Sequence, residues 1–179
     1  MIFVVCVLTG LLTVVANSFF EWGIHGLLMH KGWGGKYLDQ NHHEHHDDYP
    51  QGSYQNTNHG PNVHLPIWAG LPTVGIMSTI GCLISYLTGH WEIVWSVATI
   101  SFLYFLAYNY FHTCFHVPKN RLFEKTKLYV YLNRAHRIHH TYETEWKKPV
   151  NVCLVCPLAD WVMGTGFQSK KHNVTATSR

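Results

Sequence analysis

Three long runs without a charged side chain set the plan of this 179-residue chain: Met1 to Phe20, Pro66 to Thr88 and Ile93 to Phe111. A helix rises about 1.5 Å per residue, so roughly 20 apolar residues cross the hydrocarbon of a bilayer. Each run therefore predicts a membrane-spanning helix. Only Gly89-His90-Trp91-Glu92 separates the last two, which predicts a helical hairpin. Gly70, Pro72 and Gly75 predict a kink or tilt in the second span, since membrane bundles tolerate such breakers. The first run lacks the basic end of a cleaved signal peptide and continues towards His25, so it reads as a retained span. The expected fold class is an all-α integral membrane protein with three to four transmembrane helices.

Between and after the spans the pattern turns polar. Residues 21–65 and 112–166 carry histidines at helical spacing, and a basic tail follows at 167–179. The whole chain, 1–179, reads as a single membrane-embedded domain. Eleven of the 13 Lys and Arg residues follow the third span, Lys31 and Lys36 follow the first, and the hairpin tip has none. The positive-inside rule then puts 21–65 and 112–179 on the cytosolic side of a multi-pass membrane protein. That membrane would be the endoplasmic reticulum in a eukaryote and the inner membrane in a bacterium.

Composition changes this picture little. The net charge of +3 suits anionic lipid headgroups and calls for no nucleic acid. Five cysteines on a cytosolic and membrane plan make no disulfide framework, and Cys153-Leu-Val-Cys156 reads as apolar packing. Asn173-Val-Thr175 matches a glycosylation sequon that should stay unmodified on that side.

The histidines carry the chemistry. They fall in four groups, His25-x4-His30, His42-His43-Glu44-His45-His46, His112-x3-His116 and His136-x2-His139-His140. Residues three and four apart share a helix face. His112 and His116 thus point one way, and so do the triples His42, His45, His46 and His136, His139, His140. The pair His25 and His30 needs a helix irregularity or a helix end, for which Gly32, Gly34 and Gly35 offer a place. One structural zinc takes four ligands. Ten imidazoles predict two ions, and imidazole favours iron, zinc, copper or nickel over magnesium or calcium. His43 could replace His42 if the register slips by one. His90 and His172 read as ordinary interfacial or tail residues, while His59 and His64 sit in a Gly/Asn/Pro-containing loop.

A metal-bound imidazole usually donates its other nitrogen to an acceptor. Glu21, Asp39, Glu44, Asp47, Asp48 and Asp160 are the candidate acceptors, with Asp160 first. The rival class is a metal-transporting or metal-sensing membrane protein. Transporters place ionisable ligands within their spans, and the second and third spans lack them apart from Glu92 at the tip.

The chain resembles the fatty acid hydroxylase superfamily, which includes sterol desaturases, fatty-acid 2-hydroxylases and carotene hydroxylases. The four histidine patterns stand in the same order, with a hydrophobic hairpin between the second and third. Asn133-Arg-Ala-His136-Arg-Ile-His139-His140 is similar to the family's last histidine box. Asp160-Trp-Val-Met-Gly-Thr165 is similar to its D-x-x-F-G-T ending, with Met163 in place of Phe. The resemblance implies O2-dependent hydroxylation or desaturation of a lipid at a di-iron centre, with His25, His30, His42, His45, His46, His112, His116, His136, His139 and His140 as ligands. It implies a fatty-acyl or sphingolipid chain as substrate, with carotenoids or sterols as the alternative. Zinc would bind the same imidazoles in purified protein. Electrons would come from a separate cytochrome or ferredoxin, and the basic group Lys119, Arg121, Lys125, Lys127, Arg134, Arg137 could dock such a carrier.

Overall fold

The computed structural model describes residues 2–50, 53–56, 63–146 and 149–166, and among them every regular element is a helix. His59, His172, the sequon and the basic tail lie outside the described residues. Helix α1 (Ile2–Trp22) runs without interruption into a π-helical segment, Gly23–Met29. Helix α2 (Gly35–Asp48) is polar, α3 (Ile67–Thr88) and α4 (Glu92–His116) form the expected hairpin, α5 (Lys127–Trp146) is again polar, and α6 (Leu158–Met163) is a short return. Three helices are long and apolar enough to cross a membrane: Ile2–Met29, Ile67–Thr88 and Glu92–His116. The first and third run past their apolar stretches into histidine motifs. Side-chain polarity changes at those points, but nothing there interrupts the backbone hydrogen-bond ladder.

The hairpin closes through small residues. A Cβ added at Gly81 would come 3.1 Å from Val97 Cβ and 3.3 Å from Val94 Cα, so the helices cross closely there. Gly89, at φ 74°, ends α3 in the left-handed conformation, and Ser85 Oγ accepts the Val94 N–H at 3.0 Å. Pro72 does not break α3.

Helix α1 packs on α4 with its polar stripe inward. Thr13, Asn17, Ser18 and Glu21 are its buried residues, while Val4, Leu8, Leu11 and Leu12 face outward. Lipid solvates apolar side chains, so a membrane helix gains by turning its polar groups to the protein interior. Ser18 Oγ donates to Cys156 O at 2.6 Å and accepts from Ala159 N at 3.0 Å. Trp22 Nε1 donates to Thr165 Oγ1 at 2.9 Å. These bonds tie α6 and the segment before it to the end of α1. A cluster of Tyr54, Cys114, Phe115, Tyr129, Leu132 and Leu154 packs α5 against the end of α4.

Candidate metal centre

The π-helical segment explains the first histidine pair. An i→i+5 bond runs from His30 N to His25 O at 3.2 Å, and the longer turn brings the two rings to one face, their centroids 5.0 Å apart. Gly32 (φ 69°) and Gly35 (φ 79°) then turn the chain into α2.

Ten histidines converge in two groups of five. His25, His30, His42, His46 and His139 form the first; His45, His112, His116, His136 and His140 form the second. Within each group the ligand atoms lie within 4.8 Å of one another. Each group takes a pair from a spanning helix, an i,i+4 pair from one polar helix and a single histidine from the other. Thus α2 gives His42 and His46 to the first and His45 to the second, while α5 gives His136 and His140 to the second and His139 to the first. Successive helical residues point about 100° apart at 3.6 residues per turn, so adjacent histidines diverge to different groups. The groups touch where His46 and His140 stack at 4.1 Å.

Backbone carbonyls hold the rings. Nδ1 of His25 bonds Val152 O at 2.5 Å, His112 bonds Val63 O at 2.6 Å, His139 bonds Val150 O at 2.8 Å, His116 bonds Tyr54 O at 2.9 Å, and His140 bonds Tyr49 O at 3.1 Å. A carbonyl only accepts, so each of these nitrogens carries the proton and each Nε2 presents a lone pair. Three of these Nε2 atoms each face the Nε2 of another ring. His25 Nε2 is 3.1 Å from His42 Nε2, His112 Nε2 is 3.1 Å from His45 Nε2, and His116 Nε2 is 3.0 Å from His136 Nε2. The buried Nε2 of His140 has no hydrogen-bond partner among the described residues. A cation among them would be held by several of these nitrogens at once. With metal–nitrogen bonds of about 2.1 Å, ligands at right angles stand about 3.0 Å apart, so the spacing fits a transition-metal ion. Outside the spans, burial holds His42, His136 and His140 well below their ordinary pKa, with neighbouring histidines adding to the effect. They stay neutral, the form a metal requires.

The acidic residues expected to orient these rings do something else. Asp160 is buried and accepts from Val152 N at 3.1 Å, Cys153 N at 2.8 Å and Thr165 Oγ1 at 2.7 Å. Glu21 accepts from Leu154 N at 2.5 Å and from Tyr104 O–H at 2.6 Å. Both carboxylates clamp the 152–154 segment, and it is the Val152 carbonyl that meets His25. Glu44 accepts from exposed Gln40, Asp39 lies beside exposed His43, and Asp47 and Asp48 are exposed at the end of α2. His43 points back to Asp39 O at 2.8 Å and belongs to neither group. His90 pairs with Glu92, and His64 contacts Thr113 at 3.3 Å. Arg121 is held by Glu124 at 2.6 Å, which removes it from the basic group expected to dock an electron carrier.

Two cavities reach the histidines. One, about 590 Å³, lies between α2 and the start of α3 and touches His42, His45 and His112, residues of both groups. The other, about 510 Å³, lies among α1, α3 and α4 and ends at His25. They share Met29, Leu65, Ala69 and Tyr108, so they adjoin.

The model of the family described as fatty acid hydroxylase matches residues 10–165. That range contains all ten clustered histidines and Asp160. The chain belongs to the fatty acid hydroxylase family. No curated protein and no solved structure matches it. The family makes it an oxidoreductase of the lipid hydroxylase and desaturase type, which tells against the transporter or sensor reading. The carbonyl acceptors at Tyr49, Tyr54, Val63, Val150 and Val152 escape sequence reasoning, because every residue has a carbonyl. The one trace is a proline beside two of them, Pro50 after Tyr49 and Pro149 before Val150.

Proposed function

We propose that this chain uses O2 to hydroxylate or desaturate a fatty-acyl or sphingolipid chain at a di-iron centre held by the ten histidines, on the cytosolic face of its membrane. The observation that carries this reading is the pair of five-imidazole groups with converging ring nitrogens, flanked by two adjoining cavities, one of which runs down among the spanning helices. Two bound iron ions would supply the redox chemistry that activates O2 against an unactivated C–H bond. The protein's part is to bind and orient. The Nδ1–carbonyl bonds fix five of the ten rings, and Asp160 and Glu21 hold the segment that carries one of those carbonyls. Met29, Leu65, Ala69 and Tyr108 line the passage by which a lipid chain reaches the histidines. Burial of the ligands keeps bulk water from the reacting carbon. Lys119, Lys125, Lys127, Arg134 and Arg137 offer a basic surface to an acidic cytochrome or ferredoxin.

The test is the lipid profile of cells with and without the chain, under air and under 18O2. A lipid heavier by one oxygen atom, labelled from the gas and dependent on His112 and His139, is the expected product; a desaturated lipid with the same dependences is the other admissible one. An unchanged profile in a metal-replete strain would overturn the reading.

A further inference from the structure

The membrane-embedded cavity is not apolar throughout. At the end away from His25 it is lined by Asn17 and Ser101, from facing helices α1 and α4. Both are almost wholly buried, at 3% and 2% exposure. Asn17 uses both amide hydrogens within the protein, donating to Thr13 O at 2.9 Å and Ser101 Oγ at 3.0 Å. Its Oδ1 makes no hydrogen bond among the described residues. The Ser101 proton is also unassigned: Thr13, Ser78, Thr88 and Thr113 each donate to the carbonyl four residues back, whereas Ser101 makes no such bond. One acceptor and one donor thus meet at the deep end of a cavity whose lining also includes the apolar Ile24, Val74 and Phe105.

We infer that this end of the cavity binds an uncharged hydroxyl group on the membrane-inserted part of the lipid substrate. A hydroxyl both donates and accepts, which complements Asn17 Oδ1 and the Ser101 O–H together. A carboxylate only accepts and would oppose Asn17 Oδ1. A plain alkyl end would strand both polar groups in a dry site. Asn17 and His25 are eight residues apart on one continuous helix, so the hydroxyl sits about 12 Å from the histidines. The substrate class is therefore a long lipid alcohol, oxidised about that distance from an oxygen it already carries. This inference rests on the oxygenase reading for its chemistry, but not for its binding site.

The test is binding, read without turnover. The purified full-length chain in detergent micelles is mixed with 1-hexadecanol, its methyl ether or palmitic acid, and bound lipid is counted by native mass spectrometry. The wild type should prefer the alcohol about tenfold, the scale of one to two net hydrogen bonds. Ser101→Ala should erase that preference, and Ser101→Thr, which keeps the hydroxyl, should retain it. Equal binding of the three lipids, or an alcohol preference that survives Ser101→Ala, would overturn the inference. Selective binding with no oxygen-dependent product would sink the oxygenase reading and leave this site standing. Turnover with no alcohol preference would do the reverse.

Discussion

Replacing Asp160 with Asn tests whether the ring-orienting carbonyls are themselves held in place. The carboxylate takes three donors, with Val152 N and Thr165 Oγ1 on one oxygen and Cys153 N on the other. In Asp160→Asn the amide oxygen can serve only one side, and the amide nitrogen then faces a backbone N–H. One buried donor is left without an acceptor, and the remaining bonds lose their charge assistance. Together these amount to about 2–4 kcal/mol of stability. The 152 carbonyl should then move relative to His25, and losses of this kind lower metal affinity about 10- to 100-fold. Denaturant unfolding of the metal-free chain and competition of the loaded chain against a chelator measure the two effects separately. Glu44→Gln, a change on an exposed surface where the carboxylate accepts from Gln40, should alter neither. An Asp160→Asn protein with wild-type stability and wild-type metal affinity would refute the account of this clamp.

Three further outcomes follow from the same geometry. His112→Ala and His139→Ala each remove a ring from one group, so oxygen-dependent product should fall by more than about 100-fold while membrane insertion persists, with His90→Ala close to wild type; full turnover in His112→Ala contradicts the assignment. In Gly70→Ala the new Cβ would run into the Phe105 ring, which must swing aside within the cavity wall, so turnover on long lipids and about 1–3 kcal/mol of stability should be lost with metal content intact; unchanged activity and stability would show that the ring is free to move. In the metal-free chain, His42, His136 and His140 are held neutral by burial, below an ordinary value of 6.5, whereas the unfolded chain takes up their protons. Their contribution is therefore full above about pH 6.5 and is lost as the pH falls towards their lowered folded values, so the denaturant midpoint should drop between pH 7.5 and 5.5; a flat or rising midpoint contradicts the sign.

Much of this was legible in the sequence, because hydrocarbon thickness and helical period leave traces in residue order. The three spans and the shared faces of the i,i+4 pairs His112/His116, His42/His46 and His136/His140 follow from those rules, whereas the third histidine of each triple turns to the other group. The allocation of His45 and His46 to different groups does not, since it depends on α2 passing between the two sites. The His25/His30 spacing announced an irregularity, but only the backbone shows that it is a π turn rather than a helix end. The inward polar stripe of α1 was hidden for a different reason. Thr13, Asn17 and Ser18 are uncharged, and within an apolar run they look like noise until the partners of Asn17 on α4 and of Ser18 at α6 are seen. Asp160 was found by motif, yet its role was one bond removed from the expected one, because a carboxylate and a carbonyl can both orient an imidazole.

The interleaving of α2 and α5 sets how this protein fills. Three of the five nitrogens in each group come from these two helices, and neither helix serves one group alone. An ion captured by the first group therefore aligns most of what the second requires, and the ordering free energy is lowered for whichever ion arrives later. At one equivalent of metal the population should divide into full and empty molecules, with few carrying a single ion. On the proposed two-metal reading, a shortage of the metal would then reduce the number of working copies rather than the quality of each one. It would also avoid a stock of half-assembled centres, in which a lone reduced ion meets oxygen without its partner.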